Sequence, residues 1–507
     1  MKSPRRGLVL ACLLLFLLPA IAQDLASFEK RVTVKKLANG LTVVICRRPE
    51  APVFSFYTLV DAGSSQDPEG QTGMAHMFEH MAFKGTDKIG STDWPAEKAA
   101  LEKVEQAYAA YRAESLKEVG KDPKKMEELQ KAWKDAIAEA DKYVVPEEFS
   151  NAIESQGGVG MNASTNMDQT VYFYSMPANR TELWAYMESE RMRNPIMREF
   201  YKERDVVMEE RRMRTDSNPI GRLVEQFQTA AYIAHPYHRP TIGWMSDLNN
   251  LSATQALEFY HQYYVPANMT IAIVGDVDAG KLLPMIEKYF AQIPAQPEPL
   301  PIPTKEPPQN AERQVVLEET AQPFYIEGYH RPDYRDPDDV VYDAITDLMS
   351  NGRTSRLYRA LVRDKKVAAD AEGFSGYPGI KYPSLFAFYA IPTPGHTTAE
   401  LREAIHAEIE RLRSEDISDE ELKMIKTRAR ADLIRSLGEN EGLADALATY
   451  QARFGDWREL FHQIDKIDKV TKADIRRVAN KIFIPENRTI AILQTRKRAA
   501  ASKGGQP

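Results

Sequence analysis

The sequence predicts an α+β protein built from two homologous domains that arose by duplication, each a mainly antiparallel sheet covered by helices, with a helical hairpin inserted in the first. Three observations predict this fold. Two distant segments match each other, strands and helices alternate without a strict βαβ rhythm, and the first copy holds about fifty surplus residues of helical character. Neighbouring strands in hairpin order favour antiparallel pairing.

The length and composition fit a soluble protein of more than one domain. The 507 residues are 43% hydrophobic and 27% charged, and domains usually span about 100–200 residues. A formal charge of −7 argues against nucleic-acid binding, which usually needs a basic surface. Two cysteines exclude both a disulfide framework and a cysteine-rich zinc module.

The first 22 residues have the layout of a secretory signal peptide. A basic start precedes an apolar run over residues 7–18, and cleavage is expected after Ala22. The product would be secreted or periplasmic and would keep Cys46 as its lone thiol. A lipid anchor on Cys12 is disfavoured because only five apolar residues precede it, and a twin-arginine export route through Arg5 and Arg6 stays open.

A proline-rich linker over residues 291–312 divides the mature chain into domains at 23–290 and 313–507. Seven prolines lie between Pro294 and Pro308, and proline suits neither a helix interior nor a central strand. On either side, SATQALEFYHQYYVPANMTIAIVGD matches TKADIRRVANKIFIPENRTIAIL, so that Asn268 pairs with Asn487 at an offset of 219. Both segments predict a helix, a proline-containing turn and a strand.

A second match locates the insertion. GMAHMFEHMAFKGT aligns with VVYDAITDLMSNGRT at an offset of 267, which leaves the first copy about 48 residues longer. Residues 96–144 have apolar side chains at heptad spacing on both sides of the turn Gly120–Pro123, which predicts two antiparallel helices. A solvated decoration is the simpler interpretation of this hairpin, and a lid or partner-docking arm is the alternative.

One short motif has the residue types and spacing of a zinc site. His76, Glu79 and His80 are three and four residues apart, so on a helix they share one face. Two such histidines can bind one Zn2+, while Glu79 lies beside the metal as general base for a zinc-activated water. A pair of surface histidines beside an unrelated glutamate is the competing interpretation.

A charged helix offers the third protein ligand that a tetrahedral catalytic zinc needs. FYKERDVVMEERRMRTDSNP places Glu203 and Glu210 seven residues, or two turns, apart, so that either could reach a metal on the first helix. Glu209 points about 100° away and is the weaker candidate. A salt-bridged surface helix would explain the same pattern without a metal.

Taken together, these segments resemble the inverted-zinc-motif peptidases of the insulinase and pitrilysin family, in particular the two-domain bacterial type related to the mitochondrial processing peptidase. GMAHMFEHMAFKGT, GVGMNASTNMDQTVYF, ERDVVMEERRM, HPYHRPTIGWMSDL and YVPANMTIAIVGD occur in the family's order. The resemblance implies that His76, His80 and Glu210 bind one zinc ion per chain, that Glu79 is the catalytic base, and that Glu203 supports a ligand histidine. The inserted hairpin explains the unusually long separation between His80 and Glu210.

The resemblance also implies where the substrate would bind. An extended peptide would pair with an exposed strand edge that matches MNAST, so Asn162 and Ala163 are candidate backbone-contacting residues. An ordinary buried strand is the alternative.

The second copy lacks the metal-binding residues, because Asp343, Thr346 and Asp347 replace the motif, and no second zinc is expected. Family second domains often supply an arginine and a tyrosine to the intermediate. Arg363 matches the arginine, but Asp370 stands at the tyrosine position. Either another chain supplies that group, or Tyr377 or Tyr382 does, or the enzyme is slow.

The predicted function is therefore an exported zinc metalloendopeptidase that hydrolyses peptides or unfolded polypeptide segments, without nucleic-acid partners. Family members of this size often enclose a chamber between two chains, which implies a homodimer or a heterodimer with a related chain. The alternative is a non-catalytic scaffold or partner subunit of a related peptidase complex. A third possibility is an active subunit that works only when a partner supplies the missing tyrosine.

Overall fold

The computed structural model describes residues 25–496, so the predicted signal peptide, Cys12 and the basic C-terminal tail lie outside the described residues. The described part contains eleven strands in two sheets. The strands are β1 Val32–Lys36, β2 Thr42–Arg47, β3 Val53–Val60, β4 Val159–Thr165, β5 Thr170–Pro177, β6 Met269–Gly275, β7 Arg313–Glu319, β8 Phe324–Arg331, β9 Ala368–Tyr377, β10 Ser384–Pro392 and β11 Arg488–Thr495.

Seventeen α-helices accompany these strands in the same described range. They are α1 Leu25–Glu29, α2 Met74–Met81, α3 Trp94–Ser115, α4 Pro123–Ala140, α5 Glu148–Glu154, α6 Thr181–Arg193, α7 Phe200–Arg211, α8 Pro219–Ala231, α9 Met245–Leu248, α10 Ala253–Tyr263, α11 Ala279–Phe290, α12 Asp339–Ser350, α13 Thr398–Ser414, α14 Asp419–Ser436, α15 Asn440–Phe454, α16 Glu459–Lys469 and α17 Lys472–Ile482. Within residues 25–496, no helix is both long and apolar enough to cross a bilayer.

The two sheets share one topology. The first has the order β1-β2-β6-β3-β5-β4 and the second β7-β11-β8-β10-β9, so the second repeats the first without its outermost strand. Each contains one parallel pair, β2 with β6 and β7 with β11, and the remaining pairs are antiparallel. The predicted fold class, two duplicated and mainly antiparallel α+β units, is confirmed.

The predicted helical hairpin is also confirmed, as α3 and α4. Asp93 and Asp122 cap the two helices by accepting backbone N–H groups of their first turns. The hairpin packs on α7 through a cluster in which Tyr108, Trp133 and Tyr201 are buried together. It is therefore an integral part of the first domain's core, with its outer surface solvated.

Each half contributes one helix that covers the sheet of the other half. Helix α8, from the first half, buries Leu223, Phe227 and Ala231 against strands β8, β10 and β11 of the second sheet. Helix α15, from the second half, buries Leu443 and Leu447 against strands β2, β3, β5 and β6 of the first sheet. The back faces of both sheets are thus buried only in the intact chain.

Polar contacts fix this exchange at the end of α8. The Arg313 guanidinium donates to the Ala230 and Ala231 carbonyls at 2.9 and 2.8 Å, which satisfies acceptors that a helix end leaves free.

Residues 294–310, within the proline-rich segment, form neither helix nor strand, as their composition predicts. Cys46 is buried in β2, where burial raises the pKa of its thiol to about 11.

Candidate metal centre

The first element of the site is helix α2, which presents the histidine motif. Its N-terminus is held by Asp67, whose carboxylate accepts the backbone N–H groups of Gly73 and Ala75 at 2.7 and 2.9 Å. Gly73 has φ of +87°, a conformation that glycine adopts without steric cost. The apolar residues of α2 are buried in the core. The opposite face of the helix, which carries Glu79 and His80, is directed toward α7 and strand β4.

Helix α7 lies opposite and presents its acidic face to the histidines. Glu203 and Glu210 are mostly buried and both contact His80, as their two-turn spacing predicts. Glu209, the weaker candidate, is exposed and pairs instead with Arg212 on its own helix at 2.8 Å. The helix is therefore not simply a salt-bridged surface element, because one face is occupied by contacts to α2.

Three ligand atoms converge between the two helices. Glu210 Oε2 lies 3.6 Å from His76 Nε2 and 3.6 Å from His80 Nε2. One ligand atom from each of these three residues can be chosen so that all lie within 4.8 Å of one another, and His76 is the most buried of the three.

These distances fit a shared ion better than direct hydrogen bonds. At 3.6 Å the nitrogen and oxygen atoms are beyond a normal hydrogen bond. Two ligands of a tetrahedral zinc, each about 2.1 Å from the ion, lie about 3.4 Å apart. Two imidazoles and a carboxylate are also a ligand set that suits zinc and leaves a fourth position for water. The residues present therefore fit the metal.

The protonation of the two histidines differs in the metal-free site. Burial, and then the positive charge of His80, lowers the pKa of His76 to about 4, which keeps His76 in the neutral form that binds metals. Burial also opposes the charge on His80, but the neighbouring carboxylates of Glu203 and Glu210 outweigh burial and raise the pKa of His80 to about 9. Metal binding at neutral pH must therefore displace a proton from His80.

Glu203 contacts the ring nitrogen of His80 that faces away from Glu210. Its Oε2 lies 3.4 Å from His80 Nδ1, and its Oε1 pairs with Lys84 Nζ at 2.5 Å. Lys84 also pairs with Glu199 at 3.3 Å. A carboxylate in this position fixes the orientation and tautomer of a ligand histidine. Lys84 follows His80 by four residues, just beyond the end of α2, a spacing that could have identified it from sequence.

Glu79 lies beside the three converging residues without contacting them as a ligand. Burial raises the pKa of its carboxyl group, and a hydrogen bond with Thr165 together with the charge of His80 opposes that shift. Its Oε2 is buried without a hydrogen-bond partner. A carboxylate with a raised pKa and a free oxygen is suited to accept and return a proton.

Strand β4 borders the site as the terminal strand of the first sheet. It pairs with β5 on one side only, and its residues Asn162 and Ala163 line a cavity of about 490 Å³ together with Glu79 and His80. Asn162 is exposed, and its side-chain oxygen accepts the N–H of Ala163 at 2.9 Å. The strand is therefore not an ordinary buried strand, because its outer edge opens toward the candidate catalytic residues.

The residues expected from the second half occupy other environments. Arg363 is 57% exposed and pairs with its neighbour Asp364 at 2.6 Å. Asp370 accepts a hydrogen bond from Tyr389 at 3.0 Å. Tyr377 donates to Gln228 at 2.8 Å, and the Tyr382 hydroxyl accepts from the Ile302 N–H at 3.1 Å. Among the contacts of the described residues, none joins these side chains to the histidine cluster.

Sequence reasoning missed the residues that hold the two helices in place. Asp67 and Thr165 lie on other elements and contact α2 only in the folded chain. No local spacing connects them to the motif. Only Lys84, on the turn after the second histidine, carried a usable signal.

Two family profiles match this chain. Residues 42–114 match the profile described as Insulinase (Peptidase family M16), and residues 250–429 match the profile described as Peptidase M16 inactive domain. The first match includes the histidine motif.

Proteins that match along nearly the whole chain point to the same family. The chain is 30% identical over 504 residues to the zinc protease PqqE of Helicobacter pylori, with 97% of this chain and 99% of that protein covered. A crystal structure of a protease from Helicobacter pylori superposes with a TM-score of 0.75 at 28% identity and covers 92% of this chain and 99% of its own. The periplasmic protease PqqL from Escherichia coli shares the fold, with a TM-score of 0.67 at 17% identity, over 92% of this chain and 48% of that chain.

Proposed function

This chain belongs to the insulinase family of peptidases, family M16, and we propose that it is an exported zinc endopeptidase that hydrolyses peptides or unfolded polypeptide segments. His76, His80 and Glu210 would hold one zinc ion per chain. The observation that carries the proposal is the pair of 3.6 Å separations between Glu210 and the two histidines, because two ligands of one zinc ion have this spacing.

The protein's own groups would perform the proton transfers. When bound, zinc supplies Lewis acidity that activates a water molecule and polarises the scissile carbonyl. Glu79 would take the proton of the attacking water on its free Oε2 and return it to the leaving amine. Glu203 would keep His80 oriented, with Lys84 holding the Glu203 carboxylate in place.

The edge of β4 would align the substrate. A peptide that adds to this edge exchanges main-chain hydrogen bonds with residues such as Asn162 and Ala163, and these bonds are independent of side-chain identity. The scissile bond would then lie over the cavity that Glu79 and His80 line. This geometry favours extended or unfolded segments, because most main-chain groups of a folded substrate are already hydrogen-bonded within it.

The test uses the mature chain purified without a partner. We expect about one equivalent of zinc and cleavage of a quenched peptide library. Glu79→Gln should retain the zinc and lose about 10²–10⁴-fold in kcat, since it removes the general base without removing a ligand. Thr92→Ser, a conservative change on the loop before α3, serves as the unaffected control.

Two outcomes would reject the autonomous enzyme. Zinc without cleavage would favour an obligate partner chain, whereas absence of zinc would favour the non-catalytic scaffold.

A partner-dependent subunit is the second candidate function. It is favoured by Arg363, which pairs with Asp364 on the surface, and by Asp370, which stands where a tyrosine would assist the intermediate. A homodimer or a heterodimer with a related chain could complete the site. Light scattering, followed by cleavage assays with the related chain added, distinguishes these assemblies.

Export is proposed from the N-terminal sequence and from the periplasmic protease PqqL, whose solved structure shares the fold. Removal of residues 1–22 during export would release the mature chain. Cell fractionation with N-terminal sequencing tests this, and retention of residues 1–22 on a cytoplasmic product would reject it.

A further inference from the structure

The segment PTIGWMSD, residues 240–247, binds the chain just ahead of the histidine helix. Thr72, two residues before α2, accepts the Trp244 N–H on its hydroxyl at 2.8 Å. The same hydroxyl donates to Asp247 at 2.7 Å, and the Thr72 N–H donates to that carboxylate at 3.2 Å. Three hydrogen bonds thus fix the start of α2 to residues 244–247.

Two glycines allow the backbone of residues 240–247 to lie directly against the backbone at the start of α2. Gly73 and Gly243 have φ of +87° and +85°. A Cβ on Gly243 would lie 2.3 Å from the Thr72 carbonyl oxygen, and a Cβ on Gly73 would lie 2.6 Å from the Ile242 carbonyl oxygen. Neither position has room for a side chain, so α2 begins at a closely defined distance from Gly243.

Arg211 connects the same glycine to the acidic helix. It follows Glu210 directly, is buried, and donates from Nη1 to the Gly243 carbonyl at 2.7 Å. The guanidinium also binds both carboxylate oxygens of Glu225, on α8, at 2.8 and 3.2 Å. Its planar fork can satisfy a carbonyl and a carboxylate in different directions, which a lysine ammonium does with less geometric precision.

We propose that Arg211 is a positioning residue that sets the distance between Glu210 and the two histidines. Arg211 follows Glu210 in the chain and binds the Gly243 carbonyl, and Gly243 lies against Gly73, which caps the helix that carries His76. The inference rests on the proposed zinc site. It concerns how that site is held together and assigns Arg211 no contact with substrate.

The alternative is that Arg211 only stabilises the fold by neutralising Glu225, which is mostly buried. The two roles differ in one measurable property. A positioning residue changes the affinity for zinc in a protein that remains folded, whereas a structural residue changes the unfolding temperature of the metal-free protein and leaves the affinity of the folded fraction unchanged.

The experiment measures zinc dissociation constants by competition with a chromophoric chelator. The variants are Arg211→Met, the charge-balanced pair Arg211→Met with Glu225→Gln, and the conservative Arg211→Lys. Arg212→Met is the matched control, because Arg212 is half exposed and pairs only with Glu209 on its own helix turn. Circular dichroism and thermal unfolding of each metal-free protein show which variants are folded.

We expect zinc binding about 10–100-fold weaker in Arg211→Met and in the charge-balanced pair, the range found when groups that orient ligands are removed. Arg211→Lys should recover part of the loss, and Arg212→Met should stay within about twofold of the wild type. For cleaved peptides, KM should be unchanged at saturating zinc.

If the double variant Arg211→Met with Glu225→Gln is folded and has wild-type zinc affinity, this inference is overturned and the proposed function is not affected. If that pair does not fold, a folded Arg211→Lys with wild-type affinity would do the same. A wild-type protein that binds no zinc would overturn the proposed function and this inference with it.

Discussion

The two halves place a helix pair at the same position in the same fold and hold it together by different chemistry. In the first half, α2 and α7 face each other through His80 and Glu210 at 3.6 Å, a distance suited to a shared metal. In the second half, α12 and α14 face each other through Asp347 and Arg428, which pair directly at 3.3 Å. The second half therefore keeps this helix pair without a metal, so the candidate ligands of the first half are not a general requirement of the fold.

The other motif positions differ in the same way. Asp343 replaces the first histidine, and burial raises the pKa of its carboxyl group to about 7. Thr346 replaces the glutamate and donates its hydroxyl to the Tyr342 carbonyl of its own helix at 3.0 Å. Across residues 25–496, a cluster with ligand atoms close enough for one metal ion is formed by His76, His80 and Glu210.

The largest effect is expected from Glu210→Gln. Loss of the proposed carboxylate ligand should weaken zinc binding and reduce kcat/KM by about a thousandfold, because metal activation contributes several kcal/mol and each 1.4 kcal/mol is about tenfold. Glu209→Gln is the matched control, since its side chain is exposed and pairs only with Arg212. Zinc affinity and peptide cleavage are measured for both variants.

Equal losses in Glu210→Gln and Glu209→Gln would contradict the assignment of Glu210. Such a result would mean that the acidity of α7 as a whole, and not one ligand, supports the activity. It would also remove the contrast between the two halves at this position.

Helical spacing grouped the side chains of α2 and those of α7 separately, and the family resemblance implied that the two groups meet. Residues three, four and seven apart share a face of one helix, so His76 could be grouped with His80, and Glu203 with Glu210, without a structure. The duplicated topology was equally accessible, because the segments at Asn268 and Asn487 match over a helix, a turn and a strand.

Contacts between distant segments could not be predicted in this way. The bridge from Arg211 to Gly243 and the hydrogen bonds of Asp67 with α2 join residues that have no common period. The packing of α8 and α15, each on the sheet of the other half, was also missed. An amphipathic pattern shows that one face of a helix is buried, but it does not show which sheet covers that face.

That exchange predicts that the halves unfold together. Phe227→Ala in α8 and Leu447→Ala in α15 should each lower the free energy of unfolding by about 3 kcal/mol, the usual cost of truncating a large buried side chain. Denaturant unfolding followed by circular dichroism should show one transition in both variants. Separate transitions for the two halves would contradict mutual dependence.

Protonation of His80 should make the stability of the metal-free first half depend on pH. Its folded pKa of about 9 lies above the unfolded value of 6.5, so its contribution is complete below pH 6.5 and is lost as the pH rises through 9. The shift corresponds to about 3 kcal/mol, which partial exposure of the ring reduces to about 2 kcal/mol.

The measurement is urea unfolding with a chelator present, for the wild type and for His80→Gln, at pH 6 and pH 10. The wild type should be more stable at pH 6, and the difference should shrink toward zero at pH 10. His462→Gln is the control, because His462 pairs only with Glu459 on the surface of α16. A difference for His80→Gln that does not change with pH would mean that Glu203 and Glu210 do not hold a charged imidazole.

The smallest effect is expected in the second half, where an ion pair occupies the position of the candidate metal site. Asp347→Asn should lower the free energy of unfolding by about 1 kcal/mol, the value of a partly exposed pair, and leave zinc affinity unchanged. Asp432→Asn, which breaks an exposed pair with Arg435 on one turn of α14, should cost less. If Asp347→Asn weakened zinc binding, the second half would contribute to the metal centre through α12, and the two helix pairs could no longer be treated as independent.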